Sequence, residues 1–115
     1  MPLTIAREDH GRHAVLTVTG DLDLATAPEL TSLGVALVDA GAADVIVDAR
    51  RLAFCDSSGL SALVQIANRL PERRLAIAAP TPIVRRVLEM SGLVDAFLVA
   101  DSVPDAVAAF DEGPQ

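Results

Sequence analysis

Residues 45–70 read VIVDARRLAFCDSSGLSALVQIANRL, and this stretch predicts a buried strand, a short loop and then a helix. Residues 45–47 form an apolar β-branched run, which is typical of a strand covered on both faces. Apolar residues then recur at helical spacing and mark one helical face: Leu60, Leu63, Val64 and Ala67. Asp56, Ser57 and Ser58 precede that face and are all competent N-cap residues, so we expect the helix to begin there. The pattern therefore places a serine hydroxyl at the start of the helix.

The composition indicates one acidic globular domain. The chain has 115 residues, of which 51% are hydrophobic and 22% charged, and its formal net charge is -7. Nucleic acids and anionic membranes both attract basic surfaces, so neither is expected as the main partner. A protein partner with a basic or mixed surface is compatible with this charge. The acidic surface also leads us to expect a monomer.

The single cysteine and the lack of a membrane segment indicate a cytoplasmic protein. Cys55 has no second cysteine to pair with, which excludes an internal disulfide and favours a reducing compartment. No apolar run approaches the roughly 20 residues needed to cross a bilayer. The first ten residues, MPLTIAREDH, lack the basic start and apolar segment of a signal peptide. We expect Cys55 to be a small buried hydrophobe, with a redox switch beside Ser57 as the weaker alternative.

The rest of the chain predicts strands and helices in alternation after an initial hairpin. Strands are expected at residues 3–7, 13–19, 44–49, 75–79 and 96–100, and further helices are expected to begin at Thr26, Thr81 and Ser102. Thr26 and Glu29 have the spacing of a capping box, and the apolar face of that helix is Leu30, Leu33, Leu37 and Val38. Gly20-Asp21 is expected to end the second strand, and residues 111–115 are expected to fray. This order implies an α/β fold with a mixed, mostly parallel sheet, helices packed against it and right-handed crossovers.

Three parts of the chain resemble the motifs of one protein family. Residues 54–60, FCDSSGL, resemble the phosphorylation-site motif of bacterial anti-sigma factor antagonists, which are single-domain STAS proteins. Residues 20–23, GDLD, followed by residues 26–30, TAPEL, resemble the family's early strand-to-helix motif. Residues 90–93, MSGL, resemble its motif at the end of the third helix. The segments have the family's order and approximate spacing, so the resemblance implies one STAS domain over residues 1–115.

The resemblance implies a partner-switching function. In this family the serine directly after the aspartate is phosphorylated, which here is Ser57. The unphosphorylated protein would bind an anti-sigma factor that is also a serine kinase, and so free a sigma factor. Phosphorylation of Ser57 would release the anti-sigma factor, and a metal-dependent serine phosphatase would reset the system. The protein itself would be a substrate and a binder, with no catalytic residues and no cofactor or metal of its own.

Elementary electrostatics agrees with such an off switch. A phosphate on Ser57 adds roughly -1.5 to -2 charges at neutral pH. The helix N-terminus attracts an exposed anion by up to about 1 kcal/mol, whereas the neighbouring Asp56 repels it. Because these two effects partly offset each other, we expect the fold to survive phosphorylation. At a protein interface the same phosphate would be desolvated, and burial of an unpaired dianion is very costly.

The resemblance also indicates which residues contact a partner. They are Asp21, Asp23, Asp56, Ser57, Ser58, Gly59 and Leu60. Several of them have a structural alternative: Asp56 is either a helix cap or a recognition carboxylate for the kinase, and Ser58 either helps to start the helix or is modified secondarily. Gly59 either lets a partner's backbone approach or is merely tolerated in a first helical turn. Asp23 is either a partner contact or part of a solvated turn.

Enzymatic and metal-binding interpretations find little support. Ser57, His13 and Asp56 are the residue types of a catalytic triad, but an aspartate next to the serine is not placed to orient a histidine against it. His10 and His13 flank a predicted hairpin turn and lack the ligand spacing of a metal site. Two other functions stay open. One is a constitutive STAS subunit of a signalling or transport assembly, and the other is a small-molecule sensor, although no glycine-rich phosphate cradle is present.

Overall fold

The buried run at residues 45–47 forms the centre of a six-stranded mixed sheet. A computed structural model describes residues 2–112. The strands are β1 (Thr4–His10), β2 (His13–Leu22), β3 (Val45–Asp48), β4 (Leu52–Cys55), β5 (Leu75–Ala78) and β6 (Leu98–Ala100). The helices are α1 (Ala27–Asp39), α2 (Ser57–Arg69), α3 (Pro82–Met90) and α4 (Val103–Glu112). Short 3₁₀ turns at Pro71–Arg73 and Val94–Ala96 precede β5 and β6.

The sheet has the predicted mixed, mostly parallel topology. Its strand order is β1-β2-β3-β5-β6, and β4 pairs with β2 away from this main path. β1 and β2 form the antiparallel hairpin, whereas the pairs β2–β3, β3–β5 and β5–β6 are parallel. Parallel neighbours need crossover connections, and the helices between the strands supply them. The predicted α/β fold is therefore confirmed.

Alternating residues of β3 face two separate apolar layers. Val45 and Val47 pack into the larger core cluster, together with residues of α1, α2 and α3. Ile46 faces a smaller cluster, to which α4 contributes Ala106 and Phe110. Three helices therefore cover one face of the sheet and α4 packs on the other. This arrangement explains why β3 is apolar on both of its faces.

The loop predicted after β3 contains a strand that the sequence pattern does not reveal. In β4, Leu52 and Cys55 are buried and the two residues between them are exposed. The strand pairs in parallel with the end of β2, after a register shift between Gly20 and Asp21. β2 consequently continues to Leu22, so the prediction that Gly20-Asp21 ends it is wrong. Because the two partners lie far apart in the sequence, no local periodicity marks this pairing.

Thr26 does not form the predicted capping box. It is the N-cap residue of α1, but its hydroxyl makes no hydrogen bond to that helix. The hydroxyl instead donates to the Asp21 carbonyl at 2.8 Å and accepts the backbone N–H of Asp23 at 2.9 Å. Thr26 therefore closes the turn between β2 and α1. The capping-box spacing to Glu29 is misleading because the turn uses the same hydroxyl.

The end of α4 is held by a buried histidine. His13 begins β2 directly after the predicted hairpin turn and pairs there with His10 of β1. Its side chain is buried. The Nε2 atom of His13 lies 2.6 Å from Oδ1 of Asp111. Asp111 and Glu112 belong to α4, so the prediction that residues 111–115 fray is wrong for these two. The remaining tail residues lie outside the described part of the chain.

Helices α1 and α2 approach closely at Gly34. The helical pattern predicts Leu33 in the buried face of α1, but Leu33 is 40% exposed and the neighbouring Gly34 is buried instead. A Cβ atom on Gly34 would overlap the side chain of Ile66 on α2. Ile66 is fully buried in the core and has little room to move aside. The absence of a side chain at this position therefore sets the spacing of the two helices.

We predict that Gly34→Ala destabilises the protein. Overpacking against Ile66 costs about 1–3 kcal/mol, which exceeds the gain of up to about 1 kcal/mol from replacing glycine by alanine in a helix. Urea unfolding should therefore show a free energy of unfolding lower by about 1 kcal/mol. Ser32→Ala, at an exposed position of the same helix, is the control and should not lower it. A Gly34→Ala variant as stable as the wild type would contradict the close packing of α1 and α2.

Candidate functional site

Asp56 caps α2 and leaves Ser57 at the surface. The Asp56 backbone is extended, and its Oδ1 atom accepts the N–H groups of Ser58 at 2.8 Å and Gly59 at 3.2 Å. The predicted cap is therefore confirmed, and Asp56 rather than a serine provides it. Ser57 is the first residue of the helix and is exposed. Among residues 2–112, no hydrogen bond joins the Ser57 hydroxyl to another residue.

The pairing of β4 with β2 places the turn before α1 beside this helix start. Cys55 is paired with Leu22, and the backbone N–H of Asp56 donates to the Leu22 carbonyl at 3.2 Å. Asp21 and Asp23 flank Leu22, so the structure brings both of these predicted residues to the side of α2 where it begins. Their proximity depends on β4, which the sequence pattern does not reveal.

Asp23 organises its own turn. Its Oδ1 atom accepts the backbone N–H groups of Ala25 at 3.0 Å and Thr26 at 3.1 Å. The Thr26 hydroxyl lies 3.1 Å from the same oxygen. Asp23 is half-buried, so it combines a structural role with partial access from solvent. The solvated-turn alternative is therefore only part of its role, and a partner contact through the rest of the side chain stays a proposal.

Gly59 and Leu60 face the interior. A Cβ atom on Gly59 would lie 2.8 Å from both Cys55 Sγ and Leu22 Cγ, which is closer than packed carbon atoms approach each other. Leu60 is buried in the core cluster. The geometry therefore favours a packing role for these two residues over direct contact with a partner. Ser58 is half-buried, and its N–H is one of the two groups capped by Asp56.

Cys55 is buried directly beneath the site. Its side chain is 1% exposed, so the prediction of a small buried hydrophobe is confirmed. Burial, together with the charge of Asp56, raises the pKa of the Cys55 thiol to about 11. The thiol is therefore protonated at neutral pH, and a protonated buried thiol reacts slowly with oxidants. This environment argues against the redox alternative.

An open groove of about 560 Å³ runs between α1 and α2 and reaches Ser57. It is lined by Leu24, Ala27, Pro28, Thr31 and Ser32 on one side and by Ser57, Ser58, Ser61, Ala62 and Gln65 on the other. Leu24 is 78% exposed, and Phe54, paired with Asp21 across β2 and β4, is 45% exposed. Apolar side chains exposed next to a polar groove are typical of protein-binding surfaces. Leu24 is not among the predicted site residues, although it is an apolar residue within a polar turn.

The residue types of a catalytic triad do not come together. His13 opens β2, and Ser57 adjoins the other end of the same strand, roughly 30 Å away at about 3.3 Å per residue. Both ring nitrogens of His13 lie within hydrogen-bond distance of the carboxylates of Asp44 and Asp111. Asp56 is engaged by the helix amides. Across residues 2–112, no group of three or more His, Cys, Asp or Glu side chains could hold a metal ion.

The helices of the described chain are also too short or too polar to cross a membrane. The features of the site are thus an exposed hydroxyl, nearby carboxylates and an open, partly apolar groove.

Comparison with known proteins gives consistent matches over nearly the whole chain. A family model described as "Mlab, STAS domain" matches residues 5–100. The chain is 34% identical over 98 residues to BtrV of Bordetella bronchiseptica, which is named as an anti-sigma factor antagonist, and the match covers 84% of each chain. It is 28% identical to an anti-sigma factor antagonist from Mycobacterium paratuberculosis, whose crystal structure superposes with a TM-score of 0.87 over 94% of this chain and 93% of that one.

A more distant structure shows the same fold. The anti-sigma factor antagonist SpoIIAA in its unphosphorylated form is 23% identical and superposes with a TM-score of 0.81 over 97% of this chain and 100% of that one. The single sheet of six strands with four helices is therefore the STAS fold. Taken with the family model and the identity to BtrV, this shows that the chain belongs to the STAS domain family, among the anti-sigma factor antagonists.

Proposed function

We propose that the protein is a phosphorylation-switched anti-sigma factor antagonist and that Ser57 is the switch. The unphosphorylated form binds an anti-sigma factor with serine kinase activity and so frees a sigma factor. Phosphorylation of Ser57 ends that binding, and a serine phosphatase restores it. One observation carries this proposal: Ser57 is the exposed hydroxyl at the start of α2, and the groove between α1 and α2 opens directly beside it.

The start of α2 has few free N–H groups to stabilise the charge of a phosphate on Ser57. The N–H groups of Ser58 and Gly59, which would attract an anion, are already bonded to Asp56. The phosphate would add roughly -1.5 to -2 charges beside the Asp56 carboxylate and the turn that holds Asp21 and Asp23. In water this repulsion is screened, so the fold is retained. Under a bound partner it would be desolvated, and complex formation would be strongly disfavoured.

The surrounding surface suits a partner protein. Leu24 and Phe54 offer apolar contact area, while Asp21, Asp23 and Asp56 favour a partner with basic groups at the complementary positions. Ser57 and Ser58 directly follow Asp56 in the chain and line the groove. We propose that these residues form the contact, whereas Gly59 and Leu60 act indirectly by fixing the position of α2. A monomer acting in the cytoplasm agrees with the net charge of -7.

The relatives support this proposal. BtrV and the Mycobacterium paratuberculosis protein are both named as anti-sigma factor antagonists. SpoIIAA of Bacillus, which shares the fold, has been solved in a phosphorylated form as well as in its unphosphorylated form. A second candidate is a constitutive STAS subunit of a signalling or transport assembly that keeps the serine for structure. The family model supports this second candidate, because the description of the model names a STAS domain, "Mlab", and does not name an antagonist.

Binding to the anti-sigma factor should depend on the charge at Ser57. We predict that Ser57→Asp weakens the affinity at least about tenfold, or about 1.4 kcal/mol, because a carboxylate is then buried next to Asp56. Ser57→Ala should bind about as well as the wild type. The measurement is isothermal titration with the anti-sigma factor, obtained by capture on the immobilised protein from its own cells.

The exposed Ser61, one helical turn further along the same groove, supplies a matched control. Ser61→Asp adds the same charge at a greater distance from Asp56, so its effect should be clearly smaller than that of Ser57→Asp. If Ser57→Asp binds the anti-sigma factor with unchanged affinity, Ser57 is not the switch and the constitutive subunit is favoured.

The two roles of Asp56 can be separated by two substitutions. Asp56→Ala removes the acceptor of two helix amides, and we predict that it lowers the free energy of unfolding by about 1 kcal/mol. Asp56→Asn keeps a capping oxygen and removes the charge, so its stability should stay close to that of the wild type. Both are measured by urea unfolding. If Asp56→Ala is as stable as the wild type, the side-chain cap contributes nothing to the stability of the fold.

A further inference from the structure

A buried histidine is held between two carboxylates at the end of the sheet remote from Ser57. His13, at the start of β2, is 2% exposed. Its Nδ1 atom lies 3.0 Å from both carboxylate oxygens of Asp44, the residue before β3. Its Nε2 atom lies 2.6 Å from Oδ1 of Asp111, in the last turn of α4. These contacts join three segments that are distant in the sequence.

The geometry decides which form of the histidine fits. An ionised carboxylate can only accept hydrogen bonds, and a neutral imidazole has only one N–H group to donate. Two carboxylates, one at each ring nitrogen of His13, therefore both find a donor only when the ring is an imidazolium. Loss of one proton would leave either Asp44 or Asp111 facing a nitrogen lone pair. When the proton leaves Nε2, the 2.6 Å contact with Asp111 becomes repulsive.

Arg74 holds the same turn of α4 in a way that does not depend on pH. One of its terminal nitrogens donates to the Phe110 carbonyl at 2.7 Å and lies 3.8 Å from Oδ2 of Asp44. Its guanidinium carbon lies 4.7 Å from the centre of the Phe110 ring. Because an arginine stays charged throughout the accessible pH range, only His13 can change this cluster near neutral pH. The open cavity beside His13 is also lined by the charged or titratable groups Asp9, His10 and Arg12.

We propose that the last turn of α4 is a pH-sensitive latch, closed when the imidazolium of His13 bridges Asp44 and Asp111 and loosened when His13 loses one proton. The latch covers the smaller apolar cluster. Phe110 and Ala106 of α4 pack there on residues of the sheet, Val15, Ile46, Ala76 and Ala78. Loosening the turn would expose part of that cluster to solvent. Arg74 and the apolar contacts limit the motion to the end of the helix.

The pKa of His13 supports this device. Burial lowers the pKa, but the hydrogen bonds and charges of Asp44 and Asp111 outweigh it and raise the pKa above the ordinary value of about 6.5. A histidine whose pKa is higher in the folded state than in the unfolded state stabilises the fold when it is protonated. This stabilisation is fully present below the pKa of the unfolded state. That stabilisation is lost as the pH rises through the folded value. While both carboxylates are ionised, the latch is therefore closed below the unfolded value of about 6.5 and opens as the pH rises through the folded pKa.

The test is NMR spectroscopy of the full chain between about pH 6 and pH 8.5, a range in which histidine is the main titrating side chain. Ring ¹⁵N shifts should show His13 still protonated on both nitrogens above the ordinary histidine value of about 6.5. Amide exchange at the end of α4, normalised to exchange in α2, should accelerate by up to about tenfold per pH unit between the unfolded value of about 6.5 and the folded pKa, and should level off above the folded pKa.

Two variants and one control complete the test. In His13→Gln and in the surface-accessible Asp111→Asn, the normalised exchange at the end of α4 should be faster than in the wild type and no longer change with pH. His10→Gln is the matched control, because His10 lies across the same hairpin turn, and it should keep the wild-type profile. Titration of wild-type His13 at or below the ordinary histidine value of about 6.5, or α4 exchange that follows α2 at every pH, would overturn the proposal. Both of these measurements use the wild type, so an unstable variant cannot obscure them.

Discussion

The parallel pairing of β4 with the end of β2 is the constraint on which the position of Ser57 depends. It brings the Asp56 N–H to the Leu22 carbonyl, and Gly59 lets the first turn of α2 pack directly on Leu22 and Cys55. Because the cap and the first turn are fixed by internal contacts, Ser57 is left as the exposed hydroxyl at the helix start. A charge added there changes the surface without displacing any part of the core.

The two ends of β2 show how burial decides what a change of charge does. Near Ser57 the carboxylates are half-buried, so a new charge is screened by solvent until a partner covers it. Near His13 the carboxylate of Asp44 is buried, and a change of one proton acts in a medium where charges interact more strongly. The first end is suited to regulating an interface, and the second to regulating the packing of α4.

Much of the fold could be predicted from local sequence patterns, because the β-branched run of β3 and the apolar faces of the helices reflect burial directly. The helix start at residues 56–58 was predictable from the N-cap preference of Asp and Ser, and the burial of Cys55 from its apolar character. Three features were not. β4 and the contacts of His13 with Asp44 and Asp111 depend on pairings between distant segments. Thr26 has the spacing of a capping box, but its hydroxyl bonds to the preceding turn. Gly59 also shows the limit of a motif, since the sequence does not reveal that the missing side chain serves internal packing.

The most direct test of the proposed switch is intact-mass measurement and phosphosite mapping of the protein purified from its own cells, before and after treatment with a serine phosphatase. We predict a single phosphate, located on Ser57 rather than on Ser58 or Ser61, that the phosphatase removes. A phosphate on another residue, or no phosphate under any growth condition, would contradict the assignment of Ser57 as the switch.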